Sequence, residues 1–178
     1  MAELMFLRRL GIFLAVFIGQ LVVDQWTKQL ATAHLKGVPR KSWLGDVFRL
    51  EYATNEGAFL SLGANLPPNA RYWVLTIGVG LLLLALCIYA LVSKKLALTE
   101  VAGYSLIASG GFSNWVDRAR FDGSVVDFMN MGLGSLRTGV FNVADLAIIA
   151  GIVVLFIYGA KEEKKRKLAE QAAAKPQS

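Results

Sequence analysis

Four long apolar stretches divide the chain, at about Leu10–Lys28, Tyr72–Val92, Leu96–Trp115 and Val140–Ala160. Each approaches the ~20 residues that a helix needs to cross a hydrocarbon core of ~30 Å. Tyr72–Val92 is the cleanest, with no charged side chain. The pattern changes between the first two stretches. Phe48, Leu50 and Tyr52 alternate with Arg49 and Glu51, the period of a half-buried strand. Asn55-Glu56-Gly57 reads as a turn, Ala58–Leu62 as a short returning strand, and Pro67-Pro68 as the stop before the second span. In the segment Ala119–Gly139, Val125–Phe128 has strand character, Gly132–Gly139 reads as a flexible loop, and Asp122-Gly123 as a solvated turn. The predicted fold is an all-α polytopic membrane protein. Four transmembrane helices carry a small β-sheet and loop on the outer face. One domain covers 1–160, including outer segments 29–71 and 116–139, followed by a basic cytoplasmic tail over 161–178.

Composition agrees with a bilayer protein: 55% of the 178 residues are hydrophobic and the mean hydropathy is +0.49. The first stretch competes with a cleavable leader, because Arg8 and Arg9 precede it and Ala31-Thr32-Ala33 resembles a cleavage site. Asp24 and Lys28 interrupt the approach to that site, and the apolar run is long, so a retained span is expected. Four spans place both termini on one side. Arg8, Arg9, Lys94, Lys95 and the six Lys and Arg from Lys161 onward lie in short inner segments, which orients the termini toward the cytoplasm. Trp26, Trp73 and Trp115 fall at the outer ends, where amphipathic rings favour the interface. Much of the net charge of +6 comes from the tail, which meets anionic headgroups or sets orientation; no nucleic-acid partner is implied. The closing QAAAKPQS reads as disordered or as a fraying helix end. The single cysteine, Cys87, reads as a packing residue and excludes an intramolecular disulfide.

Two aspartates sit where a membrane chain tolerates them least. Asp127 follows a glycine-containing loop, and Asp145 lies inside the fourth apolar run, about 8 Å along a helix that starts at Val140. An ionised carboxylate in hydrocarbon is costly and survives in a wet or protein-lined site. Topology brings other polar residues to the same level: Asp24 and Lys28 from the first span, Asn114, Asp117 and Arg118 from the third, Asn142 and Asp145 from the fourth. Asp127 and Asn55 join them from the outer segments. Asp24–Lys28 reads equally as a surface ion pair or as part of a site. Asp117 and Arg118 are neighbours that point apart. Arg118 either clamps a loop or contacts a substrate, and Asn142 either caps the fourth helix or holds Asp145. His34 is the sole histidine, and HExxH, a Cys/His metal cluster, GxSxG and a phosphate loop are all absent, so no metal or cofactor is expected. Carboxylates, amides and one guanidinium remain, a set suited to acid–base chemistry.

The ordered motifs DQWTK (Asp24–Lys28), NEGAF (Asn55–Phe59), SNWVDR (Ser113–Arg118), VVDF (Val125–Phe128) and FNVAD (Phe141–Asp145) resemble those of bacterial lipoprotein signal peptidase, also called signal peptidase II. The likeness spans about Asp24 to Ala150. The family usually has Gly-Asn where this chain has Ser113-Asn114, and the serine hydroxyl is expected to bond back to a helix carbonyl one turn earlier. The resemblance implies an aspartic endopeptidase of the bacterial inner membrane. It would remove signal peptides from diacylglyceryl-modified prolipoproteins by cutting on the N-terminal side of the lipidated cysteine. By motif matching, Asp127 and Asp145 correspond to the catalytic pair. Asn55, Asn114, Arg118 and Asn142 match residues lining the substrate site, and Asp24, Lys28 and Asp117 match supporting ones. Globomycin-like cyclic peptides are the implied inhibitors, and membrane lipids and prolipoprotein the implied partners of a monomer.

Two adjacent carboxylates tend to share a proton, so that one acts as base and the other as acid. A proton or cation pathway is the main rival, since intramembrane carboxylates serve those too. It would need polar groups continuing inward, where only Glu100 offers itself. A non-catalytic adaptor that binds a partner through the outer sheet is the weaker rival, and would tolerate loss of both aspartates.

Overall fold

Residues 2–57 and 67–173 are described by the computed structural model of the chain. Helix α1 (Ala2–Leu35) leads into strands β1 (Lys41–Trp43) and β2 (Phe48–Asn55). A short α2 (Pro68–Arg71) opens through a π-helical segment, Tyr72–Gly78, into α3 (Val79–Val92). Then come α4 (Leu98–Arg120), strands β3 (Val125–Leu133) and β4 (Leu136–Arg137), and α5 (Val143–Ala173). The strand expected over Ala58–Leu62 lies outside the described residues.

Among the described residues, three helical segments are long and apolar enough to cross a membrane: Glu3–Leu35, Tyr72–Val92 and Val143–Gln171. Their burial pattern is that of a bilayer protein. Leu81, Leu82, Val22 and Phe156 face outward, more than half exposed, while Asp24, Lys28, Ser105, Ser109 and Ser113 are buried. A multi-pass membrane protein follows, since water would not tolerate such an apolar belt and lipid requires polar groups to turn inward.

Helix α4 is the central element and packs against α1, α3 and α5. Its buried side is small and polar, with Gly103, Ser105, Ala108, Ser109, Gly110, Ser113 and Asn114, which is why it is less apolar than its neighbours. Small residues let backbones approach. A Cβ on Gly110 would fall 2.4 Å from the Ala144 carbonyl oxygen, and one on Gly151 2.6 Å from that of Gly103. The start of α5 is thereby pressed onto α4. At the other end Arg9 donates to the carbonyls of Ser93, Lys94 and Leu96 and ties α1 to the α3–α4 connection. In the π segment, the Thr76 carbonyl accepts from Trp115 Nε1 at 2.8 Å, an instance of a loosened helix carbonyl satisfied from a neighbouring helix.

The strands form one antiparallel sheet in the order β1-β2-β3-β4. The alternating segment is a strand as expected, with Ala53 opposite Asp127 and Asn55 opposite Val125 beyond an irregularity between Leu50 and Ala53. Phe128 packs with Ala31 and Leu35 of α1. Strand alternation therefore turns Asp127 to the opposite face.

Several expectations need correction. Gly132–Gly139 is not simply a loop: Gly132 pairs with Arg137 and Leu133 with Leu136 around a tight turn in which Gly134 has φ +56°. Buried Asn130 fixes this hairpin, donating to Thr138 O at 2.7 Å and accepting from Arg137 Nε at 2.6 Å. Asp145 is not deep in its helix. Phe141 still pairs with Met129 of β3, so α5 starts only at Val143 and Asp145 falls in its first turn. The basic segment, by contrast, overturns no expectation: α5 runs on through it to Ala173, with Lys165–Glu162, Lys167–Glu163 and Arg166–Glu170 ion pairs one turn apart, pairs that favour helix.

Candidate active site

Strand β3 carries Asp127, and the first turn of α5 carries Asp145. The Phe141–Met129 pairing brings the two segments together. Asn142, fully buried, stands between the two carboxylates. Its Nδ2 donates to Asp127 Oδ1 at 2.6 Å and to Asn114 Oδ1 at 3.0 Å. Its Oδ1 accepts the Asp145 backbone N–H at 3.0 Å, while Asp145 Oδ2 accepts the Asn142 N–H at 3.1 Å. This reciprocal pair is a capping box, so Asn142 caps the helix and holds Asp145 at once, and both expectations for it are met. Asn114 Nδ2 donates to Asp145 Oδ1 at 3.0 Å and Asn55 Nδ2 to Asp127 Oδ2 at 3.2 Å. Each carboxylate is thus gripped on both oxygens by amide or backbone donors.

Asp127 and Asp145 line a single cavity of about 260 Å³ together with Asn55, Asn114 and Arg118. The remaining wall is largely apolar: Val125, Met131, Val140, Phe141, Leu146 and Ile149. Burial, reinforced by the negative charge of Asp145, pushes the Asp127 carboxyl up to about 7. One carboxyl of the pair can therefore hold a proton near neutral pH while the other accepts one, the division of labour that acid–base catalysis needs.

Asp24, Lys28 and Asp117 form a second layer. They are buried, so the surface reading of Asp24–Lys28 is excluded. Lys28 Nζ contacts Asp24 Oδ2 at 2.8 Å, Asp117 Oδ2 at 2.9 Å and Asn114 Oδ1 at 2.8 Å. The last contact fixes which way the Asn114 amide faces, and so aims its Nδ2 at Asp145. Arg118 Nη2 donates to the Gly57 carbonyl at 2.8 Å and Nη1 to that of Asn114 at 3.4 Å. It clamps the turn after β2 and also lines the cavity. Every candidate site residue named from the sequence lies in this cluster. Asp122, by contrast, is an exposed turn residue with φ +51°, and Glu100 accepts the Ala97 N–H at the far end of α4.

Sequence reasoning missed Gln25. It donates to Asp117 Oδ1 at 2.8 Å and Ser113 Oγ at 2.9 Å. Its place inside the Asp24–Lys28 motif was the available signal. The expectation for Ser113 was wrong. Its hydroxyl does not bond back along its helix but donates across to Asp24 Oδ2 at 2.6 Å, since an ionised acceptor outcompetes a carbonyl. Among the described residues no group of three or more His, Cys, Asp and Glu is arranged to hold a metal ion.

A family model described as signal peptidase (SPase) II matches residues 16–161. The chain belongs to the signal peptidase II family. Membership makes it a protease, and the family segment contains every site residue above. It is similar to the lipoprotein signal peptidase of Borrelia hermsii, 32% identical over 153 residues covering 83% of this chain and 85% of that protein. The lipoprotein signal peptidase of Sphingopyxis alaskensis is 35% identical over 157 residues, 87% of each chain. A bacterial membrane enzyme solved by the in meso method at 2.3 Å shares the fold, with a TM-score of 0.74 at 21% identity, covering 87% of this chain and 91% of that one.

Proposed function

We propose that this signal peptidase II family member is an aspartic endopeptidase acting on diacylglyceryl-modified prolipoproteins. It removes the signal peptide by cutting on the N-terminal side of the lipidated cysteine, with Asp127 and Asp145 as the catalytic pair. The observation that carries the reading is the contrast between two sets of carboxylates. Asp24 and Asp117 share the Lys28 ammonium, whereas among the described residues Asp127 and Asp145 accept hydrogen bonds only from uncharged donors and open into the cavity.

In the proposed reaction the ionised carboxylate takes a proton from water as its oxygen attacks the scissile carbonyl. The protonated one donates to the carbonyl oxygen, and the tetrahedral intermediate collapses with a proton delivered to the leaving amine. Base and acid are roles of the coupled pair. Asn55, Asn114, Asn142 and Arg118 offer the donors and acceptors that an extended peptide needs. The apolar wall suits the substrate's lipid chains, and the same cavity suits globomycin-like cyclic peptides. We place the protein in the bacterial inner membrane as a monomer, with α4 as a fourth span, both termini cytoplasmic and the sheet at the outer, periplasmic leaflet. Residues 1–160 form the one peptidase domain and 161–178 its cytoplasmic tail.

The test is a gel-shift cleavage assay with purified protein and diacylglyceryl-modified prolipoprotein. Wild type should convert the substrate, while Asp127→Asn and Asp145→Asn, folded and membrane-inserted, should not. Asp24→Asn should be impaired less. Near-normal turnover by either dyad variant would remove that residue from the chemistry.

A further inference from the structure

The two supporting aspartates hold the backbone in matching ways. Asp24 Oδ1 accepts the N–H of Ala144, the residue before Asp145, at 2.7 Å. Asp117 Oδ2 accepts the N–H of Val126, the residue before Asp127, at 3.2 Å. Each reacting carboxylate is therefore tethered one residue upstream to a buried carboxylate on a different helix. Two links join those carboxylates to each other. The first is Lys28, whose three N–H donors all have acceptors: Asp24, Asp117 and Asn114. The second is uncharged: Gln25 Nε2 donates to Asp117 Oδ1 and to Ser113 Oγ, and Ser113 in turn donates to Asp24 Oδ2. Carboxylate, amide and hydroxyl lie in line, so the direction of every hydrogen bond is fixed by the chemistry of the ends. The second link is also needed electrostatically. One ammonium cannot balance two buried carboxylates, and hydrogen-bond donors to the charged form offset the remainder.

We propose that Gln25 and Ser113 are positioning residues: with Lys28 they clasp Asp24 to Asp117 and so set the separation of Asp127 from Asp145. The inference rests on the reading of that pair as the catalytic dyad. Neither residue lines the cavity, so both act on the dyad through Asp24 and Asp117. Opening the clasp loosens the spacing of β3 and the start of α5, while Asn114 and Arg118 on α4 stay in place. Dyad chemistry depends on the spacing of its carboxyls, both for alignment and for the sharing of one proton.

Gln25→Met and Ser113→Ala are each compared with wild type for kcat, KM, the pH profile of kcat and thermal stability, alone and combined. Each variant is expected to lose kcat roughly tenfold or more, because small misplacements of reacting groups carry large rate penalties. KM should change less than kcat, and the two limbs of the kcat profile should change their spacing. The double variant should lose no more than the worse single one, since either change already opens the link. Gln25 is only partly buried, so Gln25→Met decides the matter should Ser113→Ala fail to fold. Wild-type kcat and pH limbs in Gln25→Met would overturn the proposal, as would a loss that vanishes on assaying well below the melting temperature. If wild type cleaves nothing, or Asp127→Asn stays active, the reading of the dyad fails instead.

Discussion

Replacing Asp127 by Asn separates the ionisation of this residue from everything else it does. In the folded protein burial lifts its carboxyl from 3.8 to about 7, equivalent to about 4 kcal/mol of disfavoured charge. The folded chain then binds more protons at this position than the unfolded chain from about pH 4 to pH 7. Stability is accordingly lost as the pH rises through that window and is level above it. An asparagine does not titrate. It does present an amide to Asn55 and Asn142, both of which donate to Asp127 in the wild type, so one donor is left facing another at a cost of about 1–3 kcal/mol. That penalty is the same at every pH. Comparing melting temperatures of wild type and Asp127→Asn in detergent at pH 4.5 and pH 8 therefore cancels the mispairing and leaves the titration. The variant should be the less stable protein at pH 4.5 and should gain on wild type by pH 8. With about 2–4 °C per kcal/mol for a chain of this size, the relative gain should be on the order of 10 °C. A melting difference that is identical at the two pH values would refute the argument, because it would mean that Asp127 does not pay for its burial.

Lys28→Met leaves Asp24 and Asp117 buried without their cation, and should destabilise the fold by about 3–5 kcal/mol; a double variant with Asp24→Asn should recover part of the loss, as read by thermal unfolding. Gly110→Val forces α4 and α5 apart at the Ala144 carbonyl, where even a Cβ would sit 2.4 Å away. It should cost about 1–3 kcal/mol in stability and reduce cleavage more than a same-sized change at the open position Gly159.

Much of the site was legible because membrane sequence makes charge conspicuous. An aspartate in an apolar run must have a reason, which marked Asp145; Asp127 stood out in its short apolar strand segment, and Asp24 read equally as a surface ion pair until the motif order tied it to the others. The strand alternation of Phe48, Leu50 and Tyr52 likewise announced β2, because period two is a local property. Strand β1 carried no comparable signal: it is three residues long and exposed, and it exists because β2 offers it an edge.

Composition and periodicity fixed the apolar segments, and motif order fixed which polar residues belong together. Their mutual arrangement depended on contacts remote in sequence. Phe141 delays the start of α5 by pairing with Met129, and so puts Asp145 in the first turn, where Asn142 can cap the helix and reach Asp127 as well. Ser113 looked like a helix residue with a spare hydroxyl until α1 brought an ionised carboxylate within 2.6 Å. Gln25 drew no reading from the sequence, because its partners Asp117 and Ser113 are supplied by α4. A buried polar side chain bonds the strongest acceptor that the packing delivers, and packing of separate helices is written in no single segment of the chain.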